Sequence, residues 1–376
     1  MKKKLLILEN SVDVTGALKS IVRTAYDLRP FFDFLFVVPT NSRGRAWIRG
    51  KGFTNMYELP ARELSRRITS WVIYLPYLFV NALRLRTLIR QEKVDLMHTN
   101  DIYNLIPVAL RWLGTPIPYV CHIRFQPDRF PPWLFGLWLR LHLRYAHRVI
   151  AVSNSVLSGL PPHPKLTMVY NELPVEELLP EAPPKRGTGP PLFLYMANYI
   201  PGKGHDLALQ AFARIHRQLP EWQLRFVGGD LGMEKNRVYQ QNLIKQAEAL
   251  GLSEKIIWRG FTDSVEQEYK EADIVLNFSE SESFSMTCVE ALFFGRPLIA
   301  SNSGGPAEII VHKKTGLLVE NRNVAAMAEA METLAKNPEW QQTLALAGKQ
   351  DVRTRFSVQQ TSLKLKALYD AALERA

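Results

Sequence analysis

Two cysteines in 376 residues, Cys121 and Cys288, are too few for a disulfide framework. Both lie in apolar stretches and read as buried thiols of a reducing compartment. The chain has no Asp-x-Asp and no His/Asp cluster at ligand spacing, so divalent-metal chemistry is not expected. Long apolar runs are missing too. The uncharged run 68–83 is broken by Pro76 and falls short of the ~20 residues that cross a bilayer. The N-terminal MKKKLLILEN starts like an export signal, but its apolar run stops at Glu9, so it reads as a first strand with a basic start. There are no internal repeats, and no Ser or Thr follows Lys203 in the way a phosphate-binding P-loop requires.

What is present is an ordinary globular composition, 47% hydrophobic and 22% charged, at a length that favours two domains. The charge is unevenly spread. Residues 1–175 hold 24 Lys and Arg against 11 Asp and Glu, whereas residues 176–376 hold 23 against 25. All of the net +11 therefore lies in the first half. This asymmetry points to an anionic partner of that half: membrane lipid, a phosphorylated acceptor or nucleic acid. Nucleic acid is disfavoured, because the aromatics sit in apolar runs rather than between basic residues and no recognition motif appears.

Short apolar runs separated by small, polar loops and helical periods recur along the chain, the pattern of an α/β fold with parallel sheets. In the first half the strands fall at 4–8, 34–38, 94–98, 118–121 and 149–152, with a basic loop at 40–54. The strand ends carry Gly16 after a polar turn, His98 and Asp101, and His122 and Arg124. These lie at the carboxyl edge, where open α/β sheets bind ligands. Two segments combine arginine with Trp, Tyr and Phe: 62–92, and the Pro-rich aromatic loop and helix of 125–148. Both are candidates for contact with an anionic membrane surface. A Pro-rich linker at 173–191 separates an N-terminal domain, 1–172, from a C-terminal one, 192–356, and a final helix at 357–376 is expected to return to the first domain.

The stretch 273–308, DIVLNFSESESFSMTCVEALFFGRPLIASNSGGPAE, organises the second half. A strand leads through a Ser/Glu loop into a helix that stops at Gly295-Arg296-Pro297. The helix N-terminus near Phe284, Ser285 and Met286 offers free N–H groups to a phosphate. Glu282 and Glu290 suit neutral hydroxyl pairs on a sugar and a ribose. Lys203, between Gly202 and Gly204 at the start of another helix, can place an ammonium on a diphosphate. The E-x7-E spacing of Glu282 and Glu290, followed by Gly304-Gly305-Pro306-Ala307-Glu308, resembles the retaining glycosyltransferases of family 4 in the GT-B superfamily.

That resemblance implies two Rossmann-like doubly wound domains facing across a cleft. It implies a nucleotide sugar as co-substrate, with no cofactor and no metal, and a glycan or polyprenyl-linked acceptor. Glu282, His122 and Lys203 would be catalytic. Glu290, Phe284, Ser285, Met286, Asn198, Gly16, Phe261 and Gly228 would hold the donor, and His98, Asp101 and Arg124 the acceptor. The chain departs from the family in two places: the first loop has Gly16 alone where a Gly pair is usual, and Asn198 stands where an Arg is usual. The expected reaction is metal-independent sugar transfer with retention, in cell-envelope polysaccharide or lipopolysaccharide synthesis. Its expected place is the cytoplasm or the inner face of the membrane. The alternatives are a GT-B sugar-nucleotide epimerase and a non-catalytic membrane-surface binding protein.

Overall fold

A computed structural model of the chain describes residues 2–60, 68–173 and 189–374. They form two compact units, Met1–Glu172 with Val358–Ala376, and Leu173–Ser357. Most of the Pro-rich segment 173–191, and Arg62, Arg66 and Arg67, lie outside the described residues.

In the first unit seven strands are described: β1 (Lys3–Leu8), β2 (Phe32–Pro39), β3 (Met56–Leu59), β4 (Leu96–Thr99), β5 (Tyr119–Ile123), β6 (Arg148–Ala151) and β7 (Leu166–Met168). All pair in parallel, in the order β3-β2-β1-β4-β5-β6-β7. The apolar run Leu5 to Leu8 has helices on both faces of its sheet and is fully buried, which is why it reads as continuous rather than alternating. The strand order reverses between β1 and β4, so the loops after these two strands flank the switch point. The helix Gly16–Leu28, capped by the Thr15 hydroxyl, buries Leu18, Ile21, Val22 and Ala25 on the sheet. The C-terminal helix Val358–Leu373 lies in the same core, with Leu365, Tyr369 and Ala372 buried and Tyr369 edge-on to Phe32 at 5.8 Å.

The second unit has six described strands: β8 (Leu192–Met196), β9 (Gln223–Val227), β10 (Ile256–Arg259), β11 (Ile274–Asn277), β12 (Leu298–Ser301) and β13 (Leu317–Val319). They are again all parallel, in the order β10-β9-β8-β11-β12-β13. Here the order reverses between β8 and β11.

Three segments differ from the sequence expectation. The basic stretch 40–54 is not a plain loop: Gly44–Gly50 is a helix, anchored by fully buried Ile48, with Arg43, Arg45 and Arg49 turned to solvent. The Pro-rich aromatic segment becomes helical at Pro132, whose missing N–H costs nothing at a helix start. Leu134, Phe135 and Trp138 are then buried, while Trp133 remains 70% exposed. The helix Ile68–Glu92 runs through Pro76 and has two apolar faces. Leu78, Ala82, Leu85 and Ile89 pack inward, and Leu75, Phe79, Val80 and Leu83 are exposed. Among the described residues, no helix is long and apolar enough to cross a membrane.

Candidate active site

In the second unit the candidate residues converge on the switch point. Lys203 comes from the loop after β8 and Glu282 from the loop after β11, and the Lys203 ammonium donates to Glu282 Oε1 at 2.7 Å. Both are largely sheltered, with 30% and 14% of their side chains exposed, so each holds the other in place. The two loops are stitched together by Tyr195. Its hydroxyl donates to the Lys203 carbonyl at 2.5 Å and accepts from the Phe278 amide at 2.9 Å. Gly204, in the left-handed region at φ +74°, lets the backbones cross: a Cβ there would sit 2.0 Å from the Phe278 carbonyl oxygen.

Glu282 is fixed on its other side by main-chain bonds from its amide to Ser303 O at 2.9 Å and from the Gly305 amide to its own carbonyl at 2.8 Å. Ser285 then adopts φ +83°, a conformation rare for any residue but glycine, and caps the helix Met286–Phe293. Its Oγ accepts from Asn277 Nδ2 at 3.0 Å and from the Cys288 amide at 3.4 Å. Strain of this kind gathers where a loop is held for function. The Phe284 side chain is buried, edge-on to Phe356 at 5.4 Å, so only its main chain is available to a ligand. Met286 and Glu290 are half-buried along the helix, and the Tyr269 hydroxyl lies 3.4 Å from Glu290 Oε2.

Asn198 accepts the Gly229 amide on Oδ1 at 3.1 Å, tying the loop after β8 to the one after β9. Gly228 lies in that crossing, where a Cβ would meet the Ala197 carbonyl oxygen at 1.9 Å. Phe261, after β10, is 54% exposed. His205, beside Lys203, is buried and pulled down to about 4 by that burial, a bond to the Ala197 carbonyl opposing it. Burial pushes the Cys288 thiol up to about 12, so it is no nucleophile at neutral pH.

The first unit gathers a different set around its own switch point. His98 and His122, at the ends of β4 and β5, stack with ring centroids 4.7 Å apart, and His98 Nε2 lies 2.6 Å from His122 Nδ1. His98 Nδ1 lies 2.6 Å from the Tyr369 hydroxyl. Both rings are buried, and burial followed by the Arg124 charge holds each well below the ordinary histidine range. Arg124 donates to Asn100 Oδ1 at 2.6 Å and Asn171 Oδ1 at 2.5 Å, and its Nη2 lies 3.3 Å from His122 Nδ1. Asn100 in turn donates to Glu9, which also accepts the Asn10 and Ser11 amides at 2.8 Å. The Asp101 carboxyl accepts the Ile102 amide and is raised to about 8, mainly by its enclosure. Gly16 is exposed at the first turn of its helix. Thus His98, His122 and Arg124 form one connected network, while Gly16 stands outside it.

Four residues of these networks carried no sequence signal. Tyr195 reads as strand core, Tyr269 as helix core, Glu9 as the end of a strand, and Tyr369 lies 271 positions from its histidine partner. Among the described residues, no group of three His, Cys, Asp or Glu could hold a metal.

Comparison with known proteins agrees with this architecture. Residues 181–351 match the model for "Glycosyl transferases group 1", and residues 52–171 match that for "Glycosyltransferase Family 4". The mouse alpha-1,3/1,6-mannosyltransferase ALG2 is 32% identical over 203 residues, 52% of this chain and 48% of that protein. The Salmonella typhimurium lipopolysaccharide 1,6-galactosyltransferase is 29% identical over 150 residues, 39% of each chain. The chain thus spans less than half the length of the curated relatives it matches. The crystal structure of Anabaena HepE in complex with UDP-glucose superposes over 98% of this chain and 99% of that one, with a TM-score of 0.82 and 19% identity, and shares the fold. Two models of one enzyme class, one on each half, together with the paired doubly wound sheets, establish that the chain belongs to the family 4 glycosyltransferases of the GT-B fold.

Proposed function

We propose that the protein transfers a sugar from a nucleotide sugar to a hydroxyl of a glycan or lipid-linked acceptor, with retention of anomeric configuration and without a metal ion. The observation that carries this reading is the Lys203–Glu282 pair at 2.7 Å, set by two loops that flank a switch point and adjoin the capped helix at Ser285. Cleavage of the glycosyl–phosphate bond leaves positive charge on the sugar and negative charge on the departing diphosphate. Lys203 and the main-chain amides at Phe284, Ser285 and Met286 stabilise the diphosphate, Glu282 orients sugar hydroxyls, and Glu290 accepts from the ribose. Asn198 and Gly228 keep the adjoining loops in register. Phe261 supplies an exposed ring and main chain beside the base, and Gly16 a bare backbone near the donor phosphates. In the first unit His122 meets a sugar hydroxyl, and His98, Asp101 and Arg124 stand on the acceptor side.

The acceptor hydroxyl attacks from the face the diphosphate leaves. Its oxygen bonds to the anomeric carbon, the carbon–phosphate oxygen bond breaks, and the hydroxyl proton passes to the leaving phosphate. No glycosyl-enzyme bond forms. Relatives named as mannosyl- and galactosyltransferases, and HepE with its bound UDP-glucose, favour a UDP-sugar or GDP-mannose as donor and support a role in envelope glycan synthesis. The exposed stripe Leu75, Phe79, Val80 and Leu83, with Trp133 and Leu137, supports peripheral contact with an anionic membrane surface at its cytoplasmic face.

The test is transfer from each donor to a short acceptor in EDTA, with the product's anomeric coupling read by NMR. Retained configuration at undiminished rate supports the reading. Inversion, or a strict metal requirement, contradicts it. Sedimentation with vesicles of 30% anionic lipid at low salt tests the membrane contact separately, and absence of binding there removes it.

A further inference from the structure

The hydrogen-bond chain behind His122 has a direction. Arg124 carries only N–H groups, and its Nη2 lies 3.3 Å from His122 Nδ1, so that nitrogen must present its lone pair. A neutral ring with a lone pair on Nδ1 carries its proton on Nε2. His98 Nε2, 2.6 Å from the same Nδ1, therefore donates, which leaves the lone pair of His98 on Nδ1 to take the Tyr369 O–H at 2.6 Å. In the opposite direction the Nδ1–H of His122 would donate to His98 Nε2, and the Arg124 N–H would face a nitrogen with no lone pair to offer. His122 Nε2 has no hydrogen-bond partner among the described residues and is not among the buried atoms left without one, so it is the ring atom open to a ligand.

We infer that Tyr369, His98 and Arg124 are positioning residues that fix His122 as an Nε2–H donor, so that the C-terminal helix takes part in setting the polarity of the strand-end site. This rests on the reading that His122 meets a sugar hydroxyl. Burial is what makes the arrangement decisive. The Tyr369 hydroxyl, His98 and His122 are 0–2% exposed, so water cannot substitute for a missing partner and each bond polarises the next. Removing Arg124 takes away the one group that accepts no other direction. The chain then runs both ways, and part of the population presents a bare Nε2 lone pair to the substrate.

Two-bond proton–nitrogen spectra of the full chain labelled with ¹⁵N-histidine report the tautomer of each ring directly. The wild type is expected to show the Nε2–H form at both His98 and His122. Arg124→Met is expected to give a mixture at His122 and to lower kcat by about 3- to 10-fold, the value of one hydrogen bond, with the donor KM within about twofold. Tyr369→Phe, which keeps the ring against Phe32, provides a second variant should Arg124→Met fail to fold. It is expected to shift the His98 ring nitrogens and to lower kcat less. An Nδ1–H form or an imidazolium at His122 in the wild type at pH 7.5 overturns the inference. So does Arg124→Met that leaves the His122 tautomer unchanged, whatever it does to the acceptor KM. Because the spectra need no turnover, they decide the chain even where a failed transfer assay strikes the parent reading.

Discussion

Replacing Gly204 with alanine, and separately Gly251 with alanine, isolates the crossing of the Lys203 loop over the end of β11. The two glycines have nearly the same backbone, φ +74° and +69°, so an added Cβ meets the same left-handed cost at both, about 1–2 kcal/mol. At Gly251 nothing lies within 4 Å of the new atom. At Gly204 it would fall 2.0 Å from Phe278 O and 2.8 Å from the Tyr195 hydroxyl, so the loop has to move by about an ångström, and overpacking of that kind costs about 1–3 kcal/mol. The same movement loosens the two bonds that Tyr195 makes to Lys203 and Phe278, each worth about 0.5–1.5 kcal/mol. Gly204→Ala should therefore destabilise the second unit by at least about 3 kcal/mol, against about 1–2 for Gly251→Ala. Native-state hydrogen exchange at the β8 and β11 amides reads this unit alone. Nucleotide binding should be lost in Gly204→Ala and kept in Gly251→Ala. Equal exchange free energies in the two variants would refute the argument that the crossing, not the backbone conformation, requires glycine at 204.

Three further predictions follow from the same contacts. Lys203→Met removes the cation from the leaving group and strands Glu282, so turnover should fall by about 10²–10³, read as initial rate with saturating donor; a loss below tenfold would argue against the role. Tyr269→Phe deletes two long contacts of one hydroxyl, 3.3 Å to the Thr287 carbonyl and 3.4 Å to Glu290, so the nucleotide Kd measured by calorimetry should rise by less than about threefold. His205 provides a pH test. Its folded value, about 4, lies below the ordinary ~6.5, so the unfolded chain takes up the proton first, and stability is full above pH ~6.5 and lost as pH falls towards 4. At pH 5 its share of the loss is about 2 kcal/mol, and His205→Gln should remove that share from the difference in urea midpoints between pH 8 and pH 5.

The inner strands were legible because burial on both faces writes them as unbroken apolar runs, as in Leu192–Met196 and Ile274–Asn277. The outer strands β3 and β7 were not. At four and three residues, and only partly buried, MYEL and LTM lack both length and alternation. Glycine at both ends disguised the short helix Gly44–Gly50. The loops that carry Lys203 and Glu282 could be read locally, as small residues before helices. Their meeting could not, since the 79 positions between them are closed by strand order and by the Tyr195 hydroxyl. The same holds for Tyr369, whose aromatic ring is ordinary helix core and whose oxygen finds His98 only once the last helix lies on the first sheet.

The central claim, a nucleotide sugar held by the second unit without a metal, is tested most directly by calorimetric titration with UDP-sugars and GDP-mannose in EDTA, on the wild type and on Glu290→Ala. The account predicts that one nucleotide class binds the wild type and that Glu290→Ala loses it. Failure of every sugar nucleotide to bind the wild type would contradict the account, and full binding by Glu290→Ala would contradict the assignment of the ribose to that carboxylate.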